Sequence, residues 1–140
     1  MANIPYYEQK DIENIKKLRE MMKELQPFCT EFFRGIEPRT STRTRIAYAY
    51  DLSVFFDFLK KENPVFSKME LMDFTLDHLD QITVTDLEEY MEYLKYRFND
   101  HNQEITNKER GIMRKISSLK SFYNYFFRTE KLKTNPAALV

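Results

Sequence analysis

Apolar residues recur along this chain at the three- and four-residue spacing of a helix face, and nowhere with the sustained alternation of a strand. Between Tyr7 and Leu25 the stripe is Ile15, Leu18, Met22 and Leu25, with charged residues filling the remaining positions. Pro27 ends that helix and serves as the first residue of a second, shorter one through Phe32, Phe33 and Ile36, which Gly35 and Pro38 close. Ser41 or Thr42 caps the next helix, which runs to Lys61 with Ile46, Tyr48, Leu52, Phe55, Phe56 and Leu59 on its buried side and stops at Asn63-Pro64.

The stretch from Val65 to Ile82 lacks a strong period and predicts a loop with a helical turn around residues 67–73. Thr83, with Asp86 three residues on, predicts a capping box opening a helix to about Phe98, whose apolar face is Leu87, Tyr90, Met91 and Leu94. Asp100-His101-Asn102 is a turn. Thr106 and Glu109 have the spacing of a second box, predicting a long helix to Leu132 with Ile112, Ile116, Leu119, Phe122 or Tyr123, and Phe126 toward the core. The expectation is an all-α chain of about four main helices and short pieces.

Composition narrows the class. Hydrophobic residues make up 42% of 140 residues and charged ones 31%, enough for a folded core of which 12 Phe and 9 Tyr supply much. Two glycines in the whole chain argue against a phosphate-cradling loop or a dinucleotide-binding crossover. Cys29 is the sole cysteine, which excludes an intramolecular disulfide and suggests a reducing compartment; no apolar run reaches the ~20 residues of a membrane span. A cytoplasmic protein is expected. His78 and His101 are isolated, so neither a metal nor a cofactor is expected.

Charge changes the picture most. The formal net charge is zero, yet it averages an acidic middle (Glu62 to Glu104) and basic flanks. Arg43 and Arg45 flank Thr44 in the first turn of the third helix, where free N–H groups favour an anion and cations do not help the helix itself. On the last helix Arg110, Arg114, Ser117, Ser118 and Ser121 fall on one side, with Lys120 on the flank. Arginine and lysine hold phosphates, and serines allow close backbone approach, so these nine residues are the candidate contacts to a nucleic-acid backbone. Glu88, Glu89 and Glu92 are expected to face away from it.

Two motifs point to a family. The first is Ser41-x-x-Thr44-x-x-x-Tyr48-x-x-Asp51-Leu52-x-x-Phe55-x-x-Phe58-Leu59. The second runs from Arg114 through Ile116-Ser117-Ser118-Leu119-Lys120-Ser121-Phe122-Tyr123-Asn124-Tyr125-Phe126 to Asn135-Pro136-Ala137. Together they resemble the N-terminal core-binding domain of tyrosine recombinases, the phage integrases and Xer-type resolvases. The resemblance implies a SAM-like bundle of four to five helices over residues 39–134 and the start of a linker at 135–140; residues 1–38, outside its strongest part, are read from their helical stripes as an N-terminal helical extension. It further implies half of a clamp around double-stranded DNA, with the nine residues above as its contacts, working beside other recombinase protomers and a catalytic domain. The family's catalytic Arg, His-x-x-Arg pair and Tyr nucleophile have no counterpart in these residues, so this segment is expected to bind DNA and cut nothing; neither a membrane nor a small-molecule substrate is expected. Two alternatives stay open, a helical protein-interaction module and a helix-turn-helix regulator, although the Phe98 to Thr106 connection is long for the latter.

Overall fold

The computed structural model describes residues 5–140. It is all-α apart from one two-stranded ribbon: α1 (Tyr6–Lys23), α2 (Pro27–Ile36), α3 (Thr42–Glu62), α4 (Leu76–Leu79), α5 (Val84–Lys95), β1 (Arg97–Phe98), β2 (Glu104–Ile105) and α6 (Glu109–Arg128). Single 3₁₀ turns occupy Glu37–Arg39, Leu71–Asp73 and Pro136–Leu139. Among the described residues no helix is long and apolar enough to cross a membrane.

The elements form where local chemistry favours them. Pro27 opens α2 at a position whose N–H would have no helical partner. Ser41 caps α3, its hydroxyl accepting the Thr44 N–H at 3.1 Å. Thr83 and Asp86 make the predicted reciprocal box at 2.9 and 3.2 Å.

Of the expected extension over residues 1–38, residues 1–4 lie outside the described residues. In the remainder, α1 lies along α3 and buries Leu18, while α2 drives Phe32, Phe33 and Ile36 into the same core as the later helices. That core is largely aromatic. Phe122 sits at its centre, edge-on to Phe32 and Phe126 with ring centroids 5.2 Å apart in both cases. Gly35 allows α2 and α6 to approach closely: a Cβ there would collide with the Tyr125 ring. Leu119 and Phe126 are fully buried, as their register predicted.

The α5–α6 connection departs from expectation. α5 stops at Lys95, and β1 pairs antiparallel with β2, Arg97 opposite Ile105 and Phe98 opposite Glu104. Asn102 turns the ribbon in the left-handed region at φ 59°. The Asn107 N–H then donates to the Leu94 carbonyl at 3.1 Å, holding the chain extended past Thr106. α6 therefore begins at Glu109 with Lys108 at its N-cap and no side-chain cap, and the Thr106–Glu109 box does not form. The intervening residues 96–108 are too many for the tight turn of a helix-turn-helix.

At its other end α6 closes when Glu130 enters the left-handed region at φ 63°, and the N–H groups of Lys131 and Leu132 fold back onto the Phe126 carbonyl. The departing chain is held by Asp80, whose carboxylate accepts the N–H of Lys133 at 2.9 Å and the N–H and hydroxyl of Thr134 at 3.0 Å.

Candidate nucleic-acid interface

The core of α6 fixes what its other side presents. Ile112, Ile116, Leu119, Phe122, Tyr123 and Phe126 face inward. At ~100° per residue, Arg110, Arg114, Ser117, Ser121, Asn124 and Arg128 then fall within an arc of about 80° on the opposite side. Five of these six are exposed and Ser121 is half-buried. The stripe contains no carboxylate. Lys120 lies at its flank, half-buried.

Arg114 is the best-anchored member. Its Nη1 donates to Oδ2 of Asp51 at 3.2 Å and its Nη2 lies 3.1 Å from Oδ1, although half of the side chain remains in solvent. Asp51 comes from the middle of α3 and is 2% exposed. It also receives the Lys115 ammonium at 3.1 Å and the Ser118 hydroxyl at 2.6 Å. Lys115 is itself 2% exposed, with its Nζ 4.7 Å from the centre of the Tyr50 ring. Burial pays the pair no favour by itself; three donors on one carboxylate satisfy it.

The polar seam continues inward. The Tyr90 hydroxyl and the Arg97 Nε are buried without a hydrogen-bond partner. Burial raises the Tyr90 pKa, the Asp51 charge raises it further, and the Arg97 charge opposes both.

Not all nine expected contacts gather on one surface. Arg110, Arg114, Ser117 and Ser121 share the α6 stripe, with Lys120 beside it. Ser118 is buried on Asp51, one position too far round the helix to face out. Arg45 is also buried: its guanidinium donates to the carbonyls of Glu37 and Thr40 at 3.2 and 2.7 Å and to the hydroxyls of Thr40 and Thr42. It ties the α2–α3 junction rather than presenting charge. Thr44, half-buried and paired with Ser41 at 3.0 Å, sits two helical turns from Asp51 on the same side of α3. Arg43 is exposed but borders a groove against α1, with Tyr6, Tyr7 and Lys10.

The acidic residues Glu88, Glu89 and Glu92 are exposed on α5. Glu88 and Glu92, with Glu109, rim a groove floored by Met91, Ile112 and Met113. It adjoins the first turns of α6, where Glu109 lies about 100° and Met113 about 60° round the helix from Arg110. Sequence reasoning missed two things here, the role of Asp51 and the burial of Lys115. The signal for the first was a lone carboxylate on an otherwise apolar face of α3.

Residues 24–139 match the family described as the phage integrase SAM-like domain. A tyrosine recombinase XerC from Caldanaerobacter subterraneus subsp. tengcongensis is 33% identical over 120 residues, covering 79% of this chain and 32% of that protein. XerC from Chlorobaculum tepidum is 31% identical over 134 residues, covering 96% and 33%. XerS from Lactococcus lactis subsp. cremoris is 26% identical over 125 residues, covering 81% and 32%. The chain thus spans about a third of the length of these curated relatives. No solved structure gives a significant match. With five-sixths of its length matched and its helices in the all-α arrangement that the motifs implied, the chain belongs to the phage integrase SAM-like domain family.

Proposed function

We propose that this chain is the DNA-binding N-terminal module of a site-specific tyrosine recombinase. In this reading it forms half of a clamp on duplex DNA, beside other protomers, and positions a catalytic domain that carries the strand-cutting residues. The observation that supports it best is the carboxylate-free stripe Arg110, Arg114, Ser117, Ser121, Asn124 and Arg128 on the outward side of α6. Arginines hold phosphates, and Ser and Asn let the helix backbone approach them. From Arg110 to Arg128 such a stripe extends about 27 Å at 1.5 Å per residue, enough to follow several phosphates. Thr44, on the Asp51 side of α3, Arg43 beside it in the same turn, and Lys120 at the flank of the stripe are further candidate contacts. The acidic α5 bounds the stripe on one side.

A salt titration of fluorescence anisotropy with a labelled duplex tests this. Non-specific dissociation constants of about 10⁻⁴–10⁻⁶ M are expected at physiological salt. Replacing Arg110 and Arg114 together by Gln should weaken binding to every sequence and reduce the slope against log salt by about 1.8, two phosphates' worth. Superimposable curves would remove α6 as the DNA-facing element. If neither protein bound at low salt, the protein-interaction reading would take precedence, with the acid-rimmed groove of Met91, Ile112 and Met113 as its surface.

A further inference from the structure

Asp51 is surrounded by more positive charge than one carboxylate can neutralise. Lys115 alone balances it, and both are closed off from water at 2% exposure. Ser118 fills another of its acceptor positions at 2.6 Å. Arg114 is therefore a surplus cation. It is held through both Nη atoms at 3.1–3.2 Å, yet its side chain is 51% exposed. A guanidinium has five N–H donors, so a fork anchored through two of them still has others to offer. An unanchored surface arginine samples many rotamers and loses that freedom when it grips a phosphate; an anchored one has less to lose.

We infer that Asp51 is a positioning residue, which never touches DNA but fixes the Arg114 guanidinium in the attitude that receives one backbone phosphate. The inference rests on the reading of α6 as the DNA-facing helix. Two other roles for Asp51 give different outcomes. As a purely structural group it would leave the contribution of Arg114 untouched. As a bare negative charge near the interface it would weaken binding, and its removal would tighten it.

The test compares wild type, Arg110→Gln, Arg114→Gln, the double variant Asp51→Asn/Lys115→Gln, and the triple variant Asp51→Asn/Arg114→Gln/Lys115→Gln, by the same anisotropy titration. The double variant loses one charge of each sign, so its net charge is that of wild type, and it leaves no buried ion unpaired. Circular dichroism checks its fold. In the wild-type background Arg114→Gln should weaken binding about fivefold to tenfold and lower the salt slope by about 0.9. In the double-variant background the same substitution should cost less than about twofold, because the guanidinium there is already loose. Equal cost in both backgrounds overturns the positioning role, as does tighter binding by the double variant. If Arg114→Gln is silent in both while Arg110→Gln weakens binding, the stripe stands and the Arg114 placement fails. If Arg110→Gln is silent too, the DNA-facing reading of α6 fails instead. A measurement that needs no change at Asp51 is ¹⁵N relaxation of the Arg114 side chain in the free protein. An order parameter near the ~0.85 of rigid backbone supports the anchoring, and one below ~0.6 overturns it.

Discussion

Replacing Asp51 by alanine leaves the Lys115 ammonium buried with the Tyr50 ring as its nearest compensation, 4.7 Å from the ring centre. Breaking a buried pair by removing one partner costs about 3–5 kcal/mol. Arg114 adds little to that figure, because its half-exposed charge returns to water. Ser118 loses its 2.6 Å bond but keeps the Arg114 carbonyl within 3.4 Å. A loss of about 4 kcal/mol is expected for Asp51→Ala. Lys115→Met should cost only about 1–2 kcal/mol, since Asp51 keeps Arg114 and Ser118 and the Met side chain fills the lysine stem's volume. Asp51→Ala/Lys115→Met together should cost about 3 kcal/mol, less than Asp51→Ala alone and short of the sum of the two by a coupling of about 2–3 kcal/mol. Urea denaturation followed by circular dichroism reads these values. At a slope of about 2 kcal/mol/M, Asp51→Ala should shift the midpoint by roughly 2 M. Equal losses for the two single variants, or a loss below about 1 kcal/mol for Asp51→Ala, would mean that Lys115 reaches water once released, and the asymmetry would be refuted.

Phe126→Ala should cost about 3–5 kcal/mol in the same assay, since the ring is fully buried against Phe122 and Phe28. Thr83→Ala should cost about 1 kcal/mol by loss of a formed cap, whereas Thr106→Ala should stay within about 0.5 kcal/mol. Arg45→Met should cost about 2 kcal/mol through its buried hydrogen bonds and leave DNA affinity close to wild type, which the anisotropy titration checks. Burial pushes the Cys29 thiol from 9.0 up to about 12. Its protonated form is favoured in the fold, so this contribution to stability is complete below pH ~9 and is lost as pH rises from there through about 12. A thiol-reactive dye should label Cys29 only when the chain unfolds.

What the sequence disclosed was local. Ser41 and the Thr83–Asp86 box were legible because each cap is complete within four residues. The core register of α6 was legible because its apolar period is long and regular. Thr106–Glu109 has the same spacing as a true box, but a bond from Asn107 to Leu94 holds that segment extended, and no window around Thr106 contains Leu94. The same limit applied to the site. Helical phase separates the outward stripe of Arg110, Arg114, Ser117 and Ser121 from the core, yet Ser118 lies only about 60° from Ser121 and is inside. Its partner Asp51 is 67 positions away in the sequence. Arg45 was misplaced for a related reason: its charge suggested solvent, while its acceptors are carbonyls that only the α2–α3 corner exposes.

The Asp80 clip has a mechanical consequence. Asp80 ends α4, and the Tyr123 hydroxyl of α6 donates to the neighbouring Leu79 carbonyl at 3.3 Å. One corner of the chain thus grips both the helix and the segment that leaves it. Tension applied at Val140 loads the bonds from Lys133 and Thr134 to Asp80, together with the buried Pro136 and Ala137, before it reaches the Phe126 carbonyl that closes α6. The clip is loaded across several short bonds at once, so the exit segment resists as a unit and then peels as a unit. α6, and with it the stripe that faces outward, is shielded from a pull on the C-terminal end until the clip gives way.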